Sequence, residues 1–228
     1  MGAPIPTNTV RPPIMTTDPK LLTLVQWLSP SYPIGAFAWS HGLEAAVADG
    51  WVTDTESLGA WLEGLVLHGS IRTDAIFIAL AYRADQNDID ALNDTAKAYA
   101  ASKERLREAE RQGAAFAKIT RDVWCLDLPD LQLPVALGRA GRLTCLEPTD
   151  LISVYAHGFC SNLVAATQRL MKLGQSDAQR VLANSNAGCM NLARFAQSAT
   201  LDDIHSEAFL SDIASMRHET VSQRIFQS

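Results

Sequence analysis

The feature that most narrows the fold is a period. From Asp18 onward apolar residues return every three or four positions, and no run alternates apolar and polar residues between hairpin-turn residues. A strand needs a two-residue period and a helix the longer one, so an all-α fold is expected. Asp18 and Pro19 supply a cap and a first-turn proline, after which Leu21, Leu24, Val25 and Leu28 carry one helix to Pro30. Thr53 and Glu56 have capping-box spacing, and Leu58, Trp61, Leu62, Leu65 and Val66 form a stripe that Gly69 interrupts. The pattern resumes from Ser70 to about Ala84, then in two alanine-rich helices over 91–101 and 102–124. Cys125 to Pro134 is too short and too apolar for a domain linker and is expected to be a packed connection. Glu147-Pro148-Thr149-Asp150 opens a long helix, Ser176 and Asp177 open another, and 202–228 holds one or two short terminal helices. There is no tandem repeat. The expectation is one helical domain over 18–228 with about eight to ten helices. Residues 1–17, rich in proline and small polar residues, are expected to be a flexible arm, within which Met15 is an alternative start.

Composition then excludes function classes. Of 228 residues 47% are hydrophobic, enough to build a core. Lys and Arg total 19 against 25 Asp and Glu, so the net charge of −6 repels phosphate backbones and argues against a nucleic-acid partner. Cysteines at 125, 145, 160 and 189 form no C-x-x-C pair or zinc-finger spacing. With no export-type apolar segment at the start, free thiols in the cytoplasm are expected. The apolar stretch 151–173 contains His157, Asn162, Gln168 and Arg169, which suit a buried helix better than a membrane span. Phosphate-binding glycine loops, the G-x-S-x-G elbow and H-E-x-x-H are all absent, so no enzyme activity is expected.

Two stretches carry unusual chemistry. "SPSYPIGAFAWSHGLEAA" (29–46) breaks an apolar run with prolines and a glycine, and sets Tyr32, Phe37 and Trp39 ahead of His41, Gly42 and Glu44. It reads first as a proline-shaped lead-in to a helix, with its aromatics in a core or an interface. His41 with Glu44, and His157 with Cys160, are three apart and could share a helix face, but two ligands fall short of a durable metal site, so no metal ligand is assigned. "DIASMRHETVSQRIFQS" (212–228) is dense in charge where most chains fray, and is either a solvated amphipathic end or a docking tail.

Three blocks, "LSPSYPIGAFAWSHGLEAAVADGWV", "GFCSNLVAATQRLMKLGQSDAQRVL" and the 212–228 segment with its M-R-H-E-T and R-I-F-Q-S, closely resemble signature blocks of the urease accessory protein F family. The chain departs from that family at "LQLPVALG" (131–138), which lacks the histidine or aromatic often found just before P-V-x-x-G and so weakens a metal relay there. The resemblance implies an all-α, homodimeric, non-enzymatic protein that joins the D/H-type accessory protein and then the G-type GTPase. Nickel would thereby reach apo-urease, passing at most transiently through this chain, and no cofactor is implied. It points to Tyr32, Phe37, Trp39, Met216, Arg217, His218, Glu219, Arg224, Ile225 and Phe226 as partner-binding residues, and to Arg169, Leu170 and Met171, after Gln168, as dimer interface. Arg217 and Arg224 are seven apart, two helical turns, so both guanidiniums could face one partner surface, with a structural role for Arg217 preferred over action on a phosphoryl group. The competing reading is a helical-bundle enzyme or small-ligand binder with a pocket near His41 and Glu44.

Overall fold

The computed structural model describes residues 18–228, so the arm expected over 1–17 lies outside the described residues. Those described fold as α-helices joined by turns and three 3₁₀ segments, with no strand among them. The helices are α1 (Pro19–Trp27), α2 (Leu43–Ala48), α3 (Thr55–His68), α4 (Ser70–Arg83), α5 (Ile89–Ala98), α6 (Lys103–Trp124), α7 (Leu133–Leu143), α8 (Pro148–Leu170), α9 (Gln175–Ala196) and α10 (Phe209–His218).

Local chemistry sets most boundaries. The Asp18 carboxylate accepts from the Lys20 N–H at 2.9 Å with Pro19 in the first turn, and Ser102 caps α6 through the Arg105 N–H. The capping box of α3 is displaced by one residue from the expected Thr53/Glu56 pair. Asp54 accepts from the Ser57 N–H at 2.8 Å while Ser57 Oγ accepts from the Asp54 N–H at 3.0 Å. A carboxylate is the stronger acceptor for an orphan first-turn donor, which favours Asp54 over the neighbouring threonine.

Helix α4 is the hub, packed against α3, α5, α7, α8 and α9, with Ile71, Ala75, Ile76, Phe77, Ile78, Ala79 and Ala81 all buried. Together α3 and α4 form one stretch long and apolar enough to cross a membrane by length and composition, yet most of it is buried in the bundle. Helix α7 was not among the elements read from the sequence. Gly138 and Gly141 lower its helix propensity, yet Gly138 is what lets it meet α4: a Cβ there would lie 2.3 Å from the Ile78 carbonyl oxygen. On the other side, Trp27 of α1 meets Phe116 and Trp124 of α6 edge-on at 5.3 and 5.5 Å, and the Tyr32 hydroxyl bonds Thr120 Oγ1 at 3.0 Å. This aromatic seam anchors the 29–42 segment to α6.

Candidate functional site

The 29–46 block is shaped by its backbone. Gly35 (φ +72°) turns the chain into the 3₁₀ segment Ala36–Ala38, Trp39 is extended, and His41 (φ +54°) and Gly42 (φ +79°) reverse it again into α2. Gly42 is required twice over, since a Cβ would lie 2.5 Å from the Ser215 backbone nitrogen where α2 crosses α10. The double left-handed step also parts His41 from Glu44. They do not share a helix face: His41 turns toward α6, and Glu44 toward the C-terminal segment.

That segment is folded onto the block. Gln227 N–H donates to the Ala38 carbonyl at 2.8 Å, Ser40 N–H to the Ser228 carbonyl at 2.8 Å, and His41 N–H to Ser228 Oγ at 3.2 Å. Glu44 Oε1 accepts from the Ile225 N–H at 2.7 Å, and Oε2 from the Phe226 N–H at 2.9 Å and from His218 Nε2 at 3.1 Å. Burial pushes the Glu44 carboxyl up, but those donors outweigh it and hold it below the usual carboxylate range. His218, fully buried, sets its other nitrogen 2.7 Å from Glu104 Oε2, and Glu104 Oε1 receives Arg224. The Ser102 and Ser215 hydroxyls bond at 2.6 Å, and Glu219 accepts from the Lys103 N–H at 2.7 Å. Arg169 of α8 stacks over Phe226 at 4.3 Å and donates to the Phe37 carbonyl at 3.3 Å.

Beside this lies a second polar group in a cavity of about 240 Å³ between α1, α6, α7 and α8. Arg105 meets Glu108 at 2.5 Å and Asp74 at 3.4 Å, and Tyr155 donates to Asp74 at 2.7 Å. Arg105 donates to His41 Nδ1 at 2.5 Å, so His41 carries its proton on Nε2, 3.3 Å from Glu108. Burial, then the Arg105 charge, hold His41 well below the usual imidazole range and therefore neutral. Burial raises Asp74 and pushes Glu108 up to about 7, overcoming the pull of Arg105. Each charged group has a partner inside the fold. Glu44 is not part of this cavity's wall, so of the expected His41/Glu44 pocket only the histidine contributes.

The sequence-predicted residues divide by burial. Phe37 is 70% exposed, Ile225 56% and Met216 52%, and Arg217 is exposed, pairing with Asp49 at 3.0 Å and lying over Trp51. Tyr32, Trp39, His218 and Phe226 are enclosed by this chain. Of the residues expected to bind a partner, these are packed within the fold, Tyr32 on Thr120 of α6 and Phe226 beneath Arg169 of α8. The expected shared face of Arg217 and Arg224 is corrected: α10 ends at His218, and Arg224 turns back to Glu104 in α6. Arg169 is exposed, while Leu170 and Met171 are half-buried against the core. Cys160 is buried beside Cys189 of α9, apart from His157, which lines the cavity. Among the described residues no group of three or more His, Cys, Asp or Glu side chains is placed to hold a metal ion.

Sequence reasoning missed Asp74, Glu104, Arg105, Glu108, Gln112 and Tyr155. The one available signal was Glu104, Glu108 and Gln112 at four-residue spacing, a polar row on one face of α6 that turns inward.

The family model described as UreF matches residues 52–186, more than half of the chain. Proteins named "Urease accessory protein UreF" are similar over most of their length. That of Ruegeria pomeroyi is 45% identical over 213 residues, covering 93% of this chain and 98% of its own. That of Ruegeria sp. strain TM1040 is 47% identical, covering 93% and 100%. That of Bradyrhizobium sp. strain BTAi1 is 41% identical over 224 residues, covering 92% of each.

Proposed function

Since the chain belongs to the UreF family of urease accessory proteins, we propose that it is a non-enzymatic scaffold of urease maturation, acting as a homodimer in the cytoplasm. It joins the D/H-type accessory protein and recruits or regulates the G-type GTPase, so that nickel, as cargo, reaches apo-urease. No resident cofactor is assigned.

The observation that carries this reading is the closure of residues 219–228 onto the 38–44 block. It brings two ends of the chain together and leaves Phe37 of one and Ile225 of the other exposed, with Met216 and Arg217 exposed on α10. Side chains of Phe209, Leu210 and Ile213 extend the apolar face along α10. Exposed apolar side chains gathered on one short helix are what a docking partner would cover. Tyr32, Trp39, His218 and Phe226 support the surface from beneath, and Arg169 ties it to α8.

Capture of the D/H-type protein by the full chain tests the assignment. Phe37→Ala and Ile225→Ala should each weaken capture by more than ~1 kcal/mol while leaving helicity intact. Undiminished capture by the double variant would move the docking surface elsewhere. A second reading is favoured by one observation: the raised Glu108 carboxyl in a cavity is what a small-ligand site needs. Turnover of a small substrate by the purified chain alone, abolished in Glu108→Gln, would put that reading first.

A further inference from the structure

The cavity between α1, α6, α7 and α8 holds more hydrogen-bond acceptors than the fold fills. Asp74, 8% exposed, takes both Tyr155 and Arg105 on Oδ2, and among the described residues its Oδ1 has no partner. Gln112, 5% exposed, gives its amide N–H to Glu108 Oε1 at 2.9 Å, and its own Oε1 likewise has no donor among the described residues. Both residues line the cavity. A buried acceptor left without a donor is costly, so these two oxygens favour a molecule that brings donors. Charge points the same way. The cluster sets two carboxylates, Asp74 and Glu108, against one guanidinium, Arg105, and the His41 beside them is neutral. Burial pushes the Glu108 carboxyl up to about 7, so a proton there stands in for the second positive charge that the cluster lacks.

The rest of the lining is apolar, with Trp27, Leu28, Ile34, Phe116, Leu137 and Val154 among its walls. A cavity of roughly 150 Å³ takes benzene, so about 240 Å³ suits a molecule of about ten non-hydrogen atoms. Its mouth lies where Ser29, Pro30 and Ile34 meet His157, Ser161 and Asn162 of α8, none of which is fully buried. Gly158 keeps that mouth clear, since the nearest atom to a Cβ there would be the Leu28 carbonyl oxygen at 3.8 Å. We propose that this cavity is a binding site for a small organic cation, an ammonium group on an aromatic or branched apolar body. The ammonium sits at the polar end, where Asp74 and Gln112 offer acceptors, and the body lies among the apolar walls. An ammonium brings three donors and the missing positive charge. A hydrated metal ion would leave the walls unmatched, and an anion would meet two carboxylates with Arg105 already engaged by both. The site goes beyond the scaffold reading: it requires no turnover, and Phe37, Met216 and Ile225 are not part of its lining.

Three probes that share a ring and differ in their head group test the site without a mutation: 2-phenylethylammonium, 2-phenylethanol and phenylacetate, each titrated to millimolar concentration into the full chain and followed by amide NMR. Saturable shifts are expected at Ala109, Leu137 and Phe159 around the cavity. The ammonium should bind about tenfold tighter than the alcohol, the difference between a hydrogen bond with a charged partner and one between neutral groups, and phenylacetate should bind more weakly than either. Gly158→Leu, which places a side chain across the mouth, should remove binding of the ammonium while keeping the parent's far-UV circular dichroism. Gln112→Met should bring the ammonium's affinity several-fold closer to that of the alcohol. Absence of saturable shifts with the ammonium, equal affinity for ammonium and alcohol, or undiminished binding in Gly158→Leu overturns the proposal. Should Gly158→Leu fail to fold, the comparison of the three probes on the parent chain decides. Capture of the D/H-type protein is a separate readout: if Phe37→Ala and Ile225→Ala leave capture undiminished while the ammonium still binds selectively, the docking surface is overturned and this site stands.

Discussion

Gly42→Ala is the sharpest single perturbation of this architecture. The glycine sits at φ +79°, and a Cβ would lie 2.5 Å from Ser215 N and 2.8 Å from the Ala214 carbonyl carbon, both backbone atoms of α10 that no rotamer change can move aside. A non-glycine residue in the left-handed region costs about 1–2 kcal/mol, and forcing a methyl into a packed contact adds about 1–3 kcal/mol. The two together come to roughly 3 kcal/mol, or about a 1 M fall in urea midpoint for a chain whose denaturant sensitivity is near 3 kcal/mol per molar. Gly50 supplies the control. Its φ is +76° but nothing lies within 4 Å of the Cβ position, so Gly50→Ala isolates the backbone cost. Urea unfolding followed by far-UV circular dichroism should place Gly50→Ala about 1 kcal/mol below the parent and Gly42→Ala well below that. Exchange protection across α10 should fall in Gly42→Ala alone. Equal midpoints for the two variants, with α10 still protected, would refute the claim that this crossing is made by backbone contact.

Three further outcomes are expected. Arg105→Met leaves Asp74 and Glu108 buried without a counter-charge and should cost about 3–5 kcal/mol in urea unfolding, whereas a loss below about 1 kcal/mol would mean that the guanidinium holds nothing in place. Glu108, raised to about 7 when folded, binds more protons in the native than in the unfolded chain between its ordinary range and neutrality, so stability should decline as pH rises through that window. Glu108→Gln should flatten the decline, and an identical slope in the variant would assign it to another group. Arg169→Glu removes the stack on Phe226 and should move the protein toward monomer, because an isologous contact repeats each reversal. Constant mass by light scattering across dilution would count against an interface there.

The helices were legible where a cap and a period coincide, as at Asp18-Pro19 and Ser102, and where Gly69 divides α3 from α4. Helix α7 was not, because Gly138 and Gly141 answer to contacts with other elements rather than to helix propensity. The site was half legible. Local spacing marks 29–46 and 212–228 as chemically unusual, but it carries nothing about pairing between segments at opposite ends of the chain. Glu44 looks like one polar residue of a short helix, and only the fold turns it into the acceptor for Ile225 and Phe226. Asp74, Arg105 and Glu108 each resemble solvated charges in isolation, and their burial follows from the packing of α4, α6 and α8.

The two polar groups differ in what they do to the fold, and that difference bears on which arginine a partner could take. Buried ion pairs add little net stability over an apolar core, yet breaking one leaves a stranded charge, so they specify geometry more than they strengthen it. Around Arg105 that geometry is the packing of α4, α6 and α8, which the surrounding apolar side chains also enforce. Around His218 it is the terminal segment, which is also attached by hydrogen bonds to Ala38, Ser40, His41 and Arg111, by the Phe226 side chain and by the Arg169 stack. The surface proposed for docking is thus kept in register by backbone hydrogen bonds and the buried Phe226 ring as well as by charge. Arg217 and Arg224 hold unequal places in it. Arg217 is exposed and pairs with Asp49, an arrangement worth about 0–1 kcal/mol that a partner carboxylate or phosphate could replace. Arg224 is bound to Glu104, which also holds His218, so drawing it away would take one partner from a buried carboxylate. Of the two, Arg217 is therefore the guanidinium that a partner would meet under the proposed docking, and Arg224 is the one bound within the fold.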